Sequence, residues 1–206
     1  MRIKHVLFAT AAVALVSGSA FADGQEGQSP WQIRLRAVGV VPQPSATVTP
    51  IGGTVNITDS IVPEADVTYF FDNNWSVEVI AATTKHSVRH SSDAYLGAAW
   101  LLPPTATLQY HFDQLKVVRP YVGAGLNYTF FYNPDPGALG QLHLTDRLGY
   151  ALQVGADVPF GDQGYFFNVD VKKIFLSTHA SFRVSPVTAK VSIDPWLIGV
   201  GVGIRF

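Results

Sequence analysis

The side chains best suited to chemistry gather in one stretch. His86-Ser87-Val88-Arg89-His90-Ser91-Ser92-Asp93 puts hydroxyls, imidazoles and a carboxylate side by side, the parts from which a hydrolytic Ser/His/Asp set is drawn. No nucleophile motif frames these serines, so the stretch predicts polar side chains exposed to water and no catalytic residue. Two imidazoles four residues apart can share a metal ion on a helix, but on an extended strand His86 and His90 stand about 13 Å apart. The exported chain holds three further histidines, His111, His143 and His179, and the sequence has no cysteine. Cys-based zinc or redox sites and disulfides are thereby excluded, and neither cofactor nor metal is predicted.

The charged residues are few and regularly placed. They make up 14% of a chain that is 48% hydrophobic, against roughly 25% in a typical soluble domain. A net charge of −1 argues against a nucleic-acid partner. Arg34, Arg36, Glu64, Asp66, Glu78, Arg147, Asp157, Asp170, Lys172 and Arg205 alternate with apolar residues, the spacing that puts each set on its own face of a β-strand. Five are basic and five acidic. Turned into a narrow closed sheet they predict a paired, buried network rather than a water channel, with an ion path as the functional alternative.

Eight alternating segments must hold these residues: 31–41, 62–71, 75–87, 105–112, 119–132, 143–160, 165–178 and 189–206. In the last, Trp196, Ile198, Val200, Val202, Ile204 and Phe206 share one face, while Leu197, Gly199, Gly201, Gly203 and Arg205 share the other. Tight turns fall at Asp72-Asn73-Asn74 and Gly161-Asp162-Gln163-Gly164, and a short link runs through Asp113 and Lys116. Long connections occupy residues 42–60, with room for a short strand inside, a stretch including 95–104, one opening with Asn133-Pro134-Asp135-Pro136-Gly137, and residues 179–188. The pattern predicts an all-β fold, an eight-stranded antiparallel up-and-down transmembrane β-barrel with short periplasmic turns and long extracellular loops. Closure removes the strand edges that lipid could not satisfy. Trp31, Tyr69, Phe71, Trp75, Tyr110, Phe112, Tyr128 and Phe130 suit the interfacial aromatic girdles.

The ends fit export. Arg2, Lys4 and His5 precede an apolar run from Val6 to Val16, and Ala20-Phe21-Ala22 forms a cleavage site. Residues 1–22 therefore predict a signal peptide, too short to span a bilayer, and residues 23–206 the barrel. The terminal Phe206 resembles the signal by which such barrels are recognised for assembly. Periplasmic chaperones and the barrel-assembly machinery are the predicted partners in biogenesis, outer-membrane lipid and lipopolysaccharide those afterwards, in the cell outer membrane of a Gram-negative bacterium.

Pro103-Pro104-Thr105, Arg119-Pro120-Tyr121-Val122-Gly123-Ala124-Gly125-Leu126-Asn127-Tyr128-Thr129, and Asp194-Pro195-Trp196 with the alternating Arg205-Phe206 ending together resemble the OmpW family of outer-membrane proteins, to which the alkane-uptake AlkL proteins are related. The likeness spans essentially the whole exported chain. It departs at Asp146-Arg147-Leu148-Gly149, where an aromatic residue is expected before the glycine. The resemblance implies a barrel with a hydrophobic passage near the outside, from which apolar molecules leave sideways into the membrane. No lining residue carries over individually. Within this chain, Tyr95, Leu96, Trp100, Leu101 and Leu102 lie in an unusually apolar loop and are the candidate hydrophobic entrance. Pro103, Pro104 and Pro195 cannot donate ladder hydrogen bonds and are the candidate wall opening. The expected function is passive passage of small hydrophobic molecules. A structural barrel or a surface receptor for phage, toxin or host, and a narrow ion-conducting pore, are the alternatives.

Overall fold

The computed structural model describes residues 29–50, 52–112, 115, 117–182 and 185–206. The expected leader, residues 1–22, and the link residues Asp113 and Lys116 lie outside them. In chain order the strands are β1 (Trp31–Val41), β2 (Ser45–Thr49), β3 (Val55–Ile57), β4 (Ser60–Phe70), β5 (Trp75–Ala82), β6 (Thr84–His90), β7 (Tyr95–Leu102) and β8 (Thr105–His111). They continue with β9 (Arg119–Pro136), β10 (Leu142–Leu144), β11 (Arg147–Pro159), β12 (Tyr165–Phe175), β13 (Ser177–Phe182), β14 (Ser185–Ser192) and β15 (Trp196–Arg205).

Eight of these strands close into an antiparallel barrel. Its order is β1, β4, β5, β8, β9, β11, β12 and β15, and β15 returns to pair with β1. Leu35 of β1 stands opposite Ala65 on one side and Val202 on the other. Because the ring is complete, the wall presents no open edge. Its outward face is apolar: Leu35, Leu126 and Leu148 leave 61%, 60% and 62% of their surface uncovered. Exposure on that scale around a whole barrel needs lipid as its cover. Edge-to-face pairs Trp31–Tyr69 and Trp75–Tyr110 ring the end that carries the tight turns. Tyr128–Phe130 and the stacked Tyr150–Phe175 ring the other end, so the apolar band is bounded as a bilayer requires.

The bare face of β15 provides room inside. A Cβ at Gly201 would run into the Leu35 carbonyl and lie 2.8 Å from both Cα and Cγ of Arg36, and one at Gly199 would press on Arg36 Cδ at 3.4 Å. The glycines let the Arg36 stem lie across the strand.

Above the bilayer the long connections are mostly strand: residues 42–60 hold two short strands, β2 and β3, where the sequence allows for one, and the loop assignment of 95–104, 133–137 and 179–188 is corrected. β9 runs on to Pro136 and pairs with β7, β7 with β6, and β6 with β3. On the other side β10, β13, β14 and β2 form a four-stranded sheet. Strands of three to eight residues interrupted by Pro and Gly give too little alternation to be recognised singly. Their inner faces bury Val48, Val55, Leu96, Leu142, Leu176, Phe182 and Ile193 in one apolar cluster, and that burial holds the raised wall together.

Gly201→Val should prevent closure, since the clash is with backbone on the neighbouring strand. Gly39→Ala should be tolerated, because its Cβ meets only the Ile198 carbonyl at 3.8 Å. Heat-dependent mobility on denaturing gels reads both. A Gly201→Val chain that migrates as a folded barrel contradicts the packing.

Candidate functional site

The inward face changes chemistry partway up the strands. On β1, Arg34 and Arg36 are followed by Val38 and Val40; on β5, Glu78 by Ile80; on β12, Lys172 by Ile174; on β11, Gln153 gives way to Ala151. The lower half of the barrel is therefore packed with polar side chains and the upper half with apolar ones.

In the lower half, three cations face five carboxylates. Arg34 Nη1 pairs with Glu78 Oε2 at 2.5 Å and lies 3.6 Å from Asp66; its Nη2 lies 3.6 Å from Asp157. Arg36 Nη2 pairs with Glu64 at 2.7 Å and Asp66 at 2.8 Å, and Nη1 approaches Asp170 at 3.6 Å. Lys172 Nζ pairs with Asp170 at 2.5 Å and approaches Glu64 and Glu78 at 3.7 Å. Neutral donors complete the cluster. Gln109 and Gln153 donate to Glu78 at 2.9 and 3.1 Å, Tyr121 donates to Asp170 at 2.8 Å, and Asn168 to Asp157 at 2.7 Å. Arg34, Glu78, Gln109 and Asn127 are wholly shielded from solvent.

Arg147 and Arg205 do not join the cluster. Arg147 is level with the raised wall, where its Nη2 meets His179 Nδ1 at 2.8 Å. Arg205 is at the turn end, its guanidinium 3.7 Å from the Phe70 ring centroid and its Nε donating to the Ser29 carbonyl. Both share the inward side of the alternation but stand at the wrong height, so the expected balance of five and five becomes three cations to five acids.

Above this cluster is an apolar cavity of about 100 Å³, comparable with the ~150 Å³ apolar void that holds one benzene. Val38, Val40, Ile80, Leu96, Leu101 and Phe131 are among its walls, and Glu64 and Lys172 belong to its floor. A separate polar cavity of about 310 Å³ opens at the turn end, lined by Gln32, His111, Arg119, Asp157 and Arg205 among others. The charge cluster is the partition between them.

Of the five candidate entrance residues, Leu96 and Leu101 line the apolar cavity. Trp100 instead stacks on Tyr132, with Lys85 Nζ 5.9 Å from its ring. Tyr95 lies under Arg89, and Leu102 is exposed. These three are corrected to positions off the cavity lining: residues 95–102 are a strand whose register shifts between Ala98 and Trp100, so the lining passes from Leu96 to Ala99 and Leu101.

The candidate opening divides in the same way. The β5–β8 ladder stops at Ile80 and Thr105, and the β6–β7 ladder begins at Thr84 and Leu101. Between them residues 81–83 and 102–104 exchange no ladder pair among the described residues, and Thr83 Oγ1 donates to the Leu101 carbonyl at the edge of the gap at 3.2 Å. Ala82, Leu101 and Pro103 flank this interruption and line the cavity. Pro195 also lines the cavity, but the wall beside it is stitched. Ile193 N donates to Leu176 O at 2.8 Å, Ile174 N to Pro195 O at 3.1 Å, and Leu176 N to Asp194 Oδ1 at 2.8 Å. Pro195 therefore marks no second break.

The histidines take structural partners. His90 contacts Ser92 Oγ at 2.8 Å and the Gly52 carbonyl at 3.0 Å, so a carbonyl occupies the place a triad acid would take. His86 faces the cavity and contacts the Thr58 carbonyl at 2.5 Å and Thr84 Oγ1 at 3.1 Å. Burial holds its imidazole below the ordinary range, partly opposed by the Thr58 hydrogen bond.

The residues that sequence alone did not single out are the upper lining, Val38, Val40, Ile80 and Ile174, and the neutral members Gln109, Gln153, Tyr121 and Asn168. The signal was present as a switch from polar to apolar at every second residue within one strand face.

Residues 25–206 match the model of the OmpW family. An uncharacterized outer-membrane protein, y4mB, from Sinorhizobium fredii is 44% identical, covering 87% of this chain and 81% of that protein. The dibenzothiophene metabolism operon protein PahQ of Pseudomonas aeruginosa is 31% identical over 87% of this chain and 90% of its own length. The crystal structure of the outer membrane protein OprG from Pseudomonas aeruginosa superposes with a TM-score of 0.76 at 26% identity, covering 89% of this chain and 99% of that one.

Two outcomes follow from the electrostatics. With acids in excess, Arg36→Met should cost about 3–5 kcal/mol by stranding buried carboxylates, while Glu64→Gln should cost much less; denaturant unfolding from lipid vesicles measures both, and equal costs would contradict the excess. Because the folded His86 binds its proton more weakly than an unfolded imidazole near ~6.5, its contribution to stability is whole above that pH and is lost as pH falls through the lowered value. Stability of the wild type should therefore drop relative to His86→Gln between neutral and acid pH, measured by the same unfolding assay.

Proposed function

Since the chain belongs to the OmpW family of outer-membrane barrels, we propose that it is a passive passage for small hydrophobic molecules, with lateral exit into the membrane. The observation that carries this reading is the apolar cavity resting on a packed charge cluster, with the interrupted ladder in its side wall. A solute entering from the raised end meets apolar walls at Leu96 and Leu101. Below, it meets Glu64 and Lys172, whose partners would have to be broken for it to continue downward. The side wall offers a lower barrier. Residues 81–83 and 102–104 exchange no ladder pair, and Pro103 and Pro104 have no N–H to leave unsatisfied there.

The mechanism is partition rather than reaction. A dry protein wall standing above the bilayer gives an apolar solute a route past the polar sugars of the outer surface, where it partitions poorly. The name of the relative PahQ places that protein in a dibenzothiophene metabolism operon, and a small aromatic compound is the corresponding solute class for this chain.

Liposomes containing the protein should speed transfer of a small aromatic without passing ions or sugar. Leu96→Asp or Leu101→Asp should slow that transfer by more than about tenfold, equivalent to ~1.4 kcal/mol. Trp100→Ala, outside the cavity, should leave it unchanged. Pro103→Ala, which returns an N–H to the interrupted stretch, should slow exit. Ion or sugar flux without aromatic transfer would replace this reading with a pore. Silence in all assays would replace it with a structural or receptor role.

A further inference from the structure

The raised wall carries its surface charges unevenly. On the sheet formed with β6 and β7, exposed Lys85 is answered by Asp135 at 2.6 Å. On the sheet of β10, β13, β14 and β2, the outward face carries Lys190 without such an answer, and Arg147, although on the inward side of the β11 alternation, reaches that face through His179. His179 of β13 and Lys190 of β14 stand directly opposite each other, and both are exposed. Arg147 Nη2 donates to His179 Nδ1, and Arg147 Nε is buried without a hydrogen-bond partner. His143 is exposed on the adjoining β10. Among the described residues every ion pair uses Arg34, Arg36, Lys85 or Lys172, and none uses Arg147, Lys173 or Lys190. The two nearby acids are already engaged by backbone: Asp146 accepts from Phe131 N and Asp194 from Leu176 N.

The patch sits directly above the aromatic girdle. Lys173 Nζ lies 4.9 Å from the Trp196 ring and 5.9 Å from the Phe175 ring, and Phe175 stacks on Tyr150. Below them Leu152, Val154, Val169, Ile198 and Val200 face outward as lipid-facing residues. Arg147 is three residues above Tyr150 on the same strand, about 10 Å at ~3.3 Å per residue, and the tilt of the strand reduces that height. That is the level at which a lipid's head group begins.

We propose that Arg147, His179 and Lys190 bind the phosphate of an outer-leaflet glycolipid of the lipid A type, whereas Lys173, six residues below His179, donates to Gln43 Oε1 and the Asp194 carbonyl. Arg147 occupies His179 Nδ1, which leaves the proton on Nε2, so the site offers a guanidinium, an imidazole N–H and an ammonium together. Charge-assisted hydrogen bonds from such a set favour phosphate over a neutral sugar. The acyl chains of the same molecule would cover the apolar band beneath. This inference is independent of what passes through the cavity.

The test uses the folded protein in nanodiscs free of lipopolysaccharide, titrated with bisphosphorylated lipid A, dephosphorylated lipid A, phosphatidylglycerol or inorganic phosphate, with bound lipid counted by native mass spectrometry. Bisphosphorylated lipid A should bind at least tenfold more tightly than the other three. The double variant Arg147→Gln/Lys190→Gln should lose that preference, and Lys85→Gln on the opposite sheet should keep it. Lys190→Gln alone, at an exposed side chain with no hydrogen bond or ion pair among the described residues, should weaken binding several-fold without disturbing the fold, as checked by heat-dependent gel mobility. Undiminished binding by a folded Lys190→Gln and double variant would overturn the site. Equal binding of phosphatidylglycerol would reduce it to general attraction for anionic lipid and overturn the glycolipid assignment, as would inorganic phosphate binding as tightly as lipid A.

Discussion

The buried charge cluster centred on Glu78 governs the interior. Isolated charges in a low-dielectric space cost many kcal/mol, and they persist only where partners and hydrogen bonds replace water. Here one carboxylate is approached by Arg34, Arg36 and Lys172 and receives Gln109 and Gln153, tying together strands β1, β5, β8, β11 and β12. The glycine face of β15 follows from this. Arg36 can lean over β15 toward Asp170 on β12 only because Gly199 and Gly201 carry no Cβ, while Glu64 and Asp66 meet it from β4 on the other side. The cavity above follows as well, because it ends where Lys172 and Glu64 begin.

A membrane barrel must also satisfy its backbone, since each unpaired N–H or C=O in lipid costs several kcal/mol. An interruption of the wall is therefore tolerable only where little is left unpaired. Pro103 and Pro104 bring no donor to the gap, and the Pro104 carbonyl is taken by Tyr128 N at 3.0 Å. The Leu101 carbonyl is capped by the Thr83 hydroxyl. At Pro195 the opposite solution operates, with Asp194 Oδ1 and two backbone bonds closing the wall. Proline alone does not distinguish the two cases; the partners available on the neighbouring strand do.

This difference also marks where sequence reading stops. Period-two alternation makes the face of a residue legible, so the eight wall strands and the inward side of Arg34, Glu64, Asp66, Glu78, Asp170 and Lys172 could be read directly. Alternation does not give height along the barrel axis. Arg147 and Arg205 obey the same alternation yet belong to the two ends, because register between strands is set by the closed ladder and not by any one segment. The raised wall was obscured for another reason. β3 and β10 have three residues each, and β7 reads Tyr-Leu-Gly-Ala-Ala-Trp-Leu-Leu with apolar residues on both faces. A register shift between Ala98 and Trp100 switches which residues of β7 line the cavity, so its hydrophobicity was legible while its sidedness was not.

On the proposed reading, energetics restrict what the protein can contribute. An aromatic solute exposing about 150–250 Å² gains ~4–6 kcal/mol on leaving water for an apolar wall, and it gains a similar amount in the membrane interior. The cavity therefore supplies little net driving force between its mouth and the lipid. It supplies continuity: an apolar surface that begins above the polar head groups and ends at a wall interrupted level with the Tyr128–Phe130 girdle. A deeper or tighter cavity would hold the solute and slow its release, whereas a polar one would exclude it. A volume of about 100 Å³ with an apolar lining and a sealed floor lies between those limits, and the charge cluster beneath gives the path its direction by making sideways exit less costly than descent.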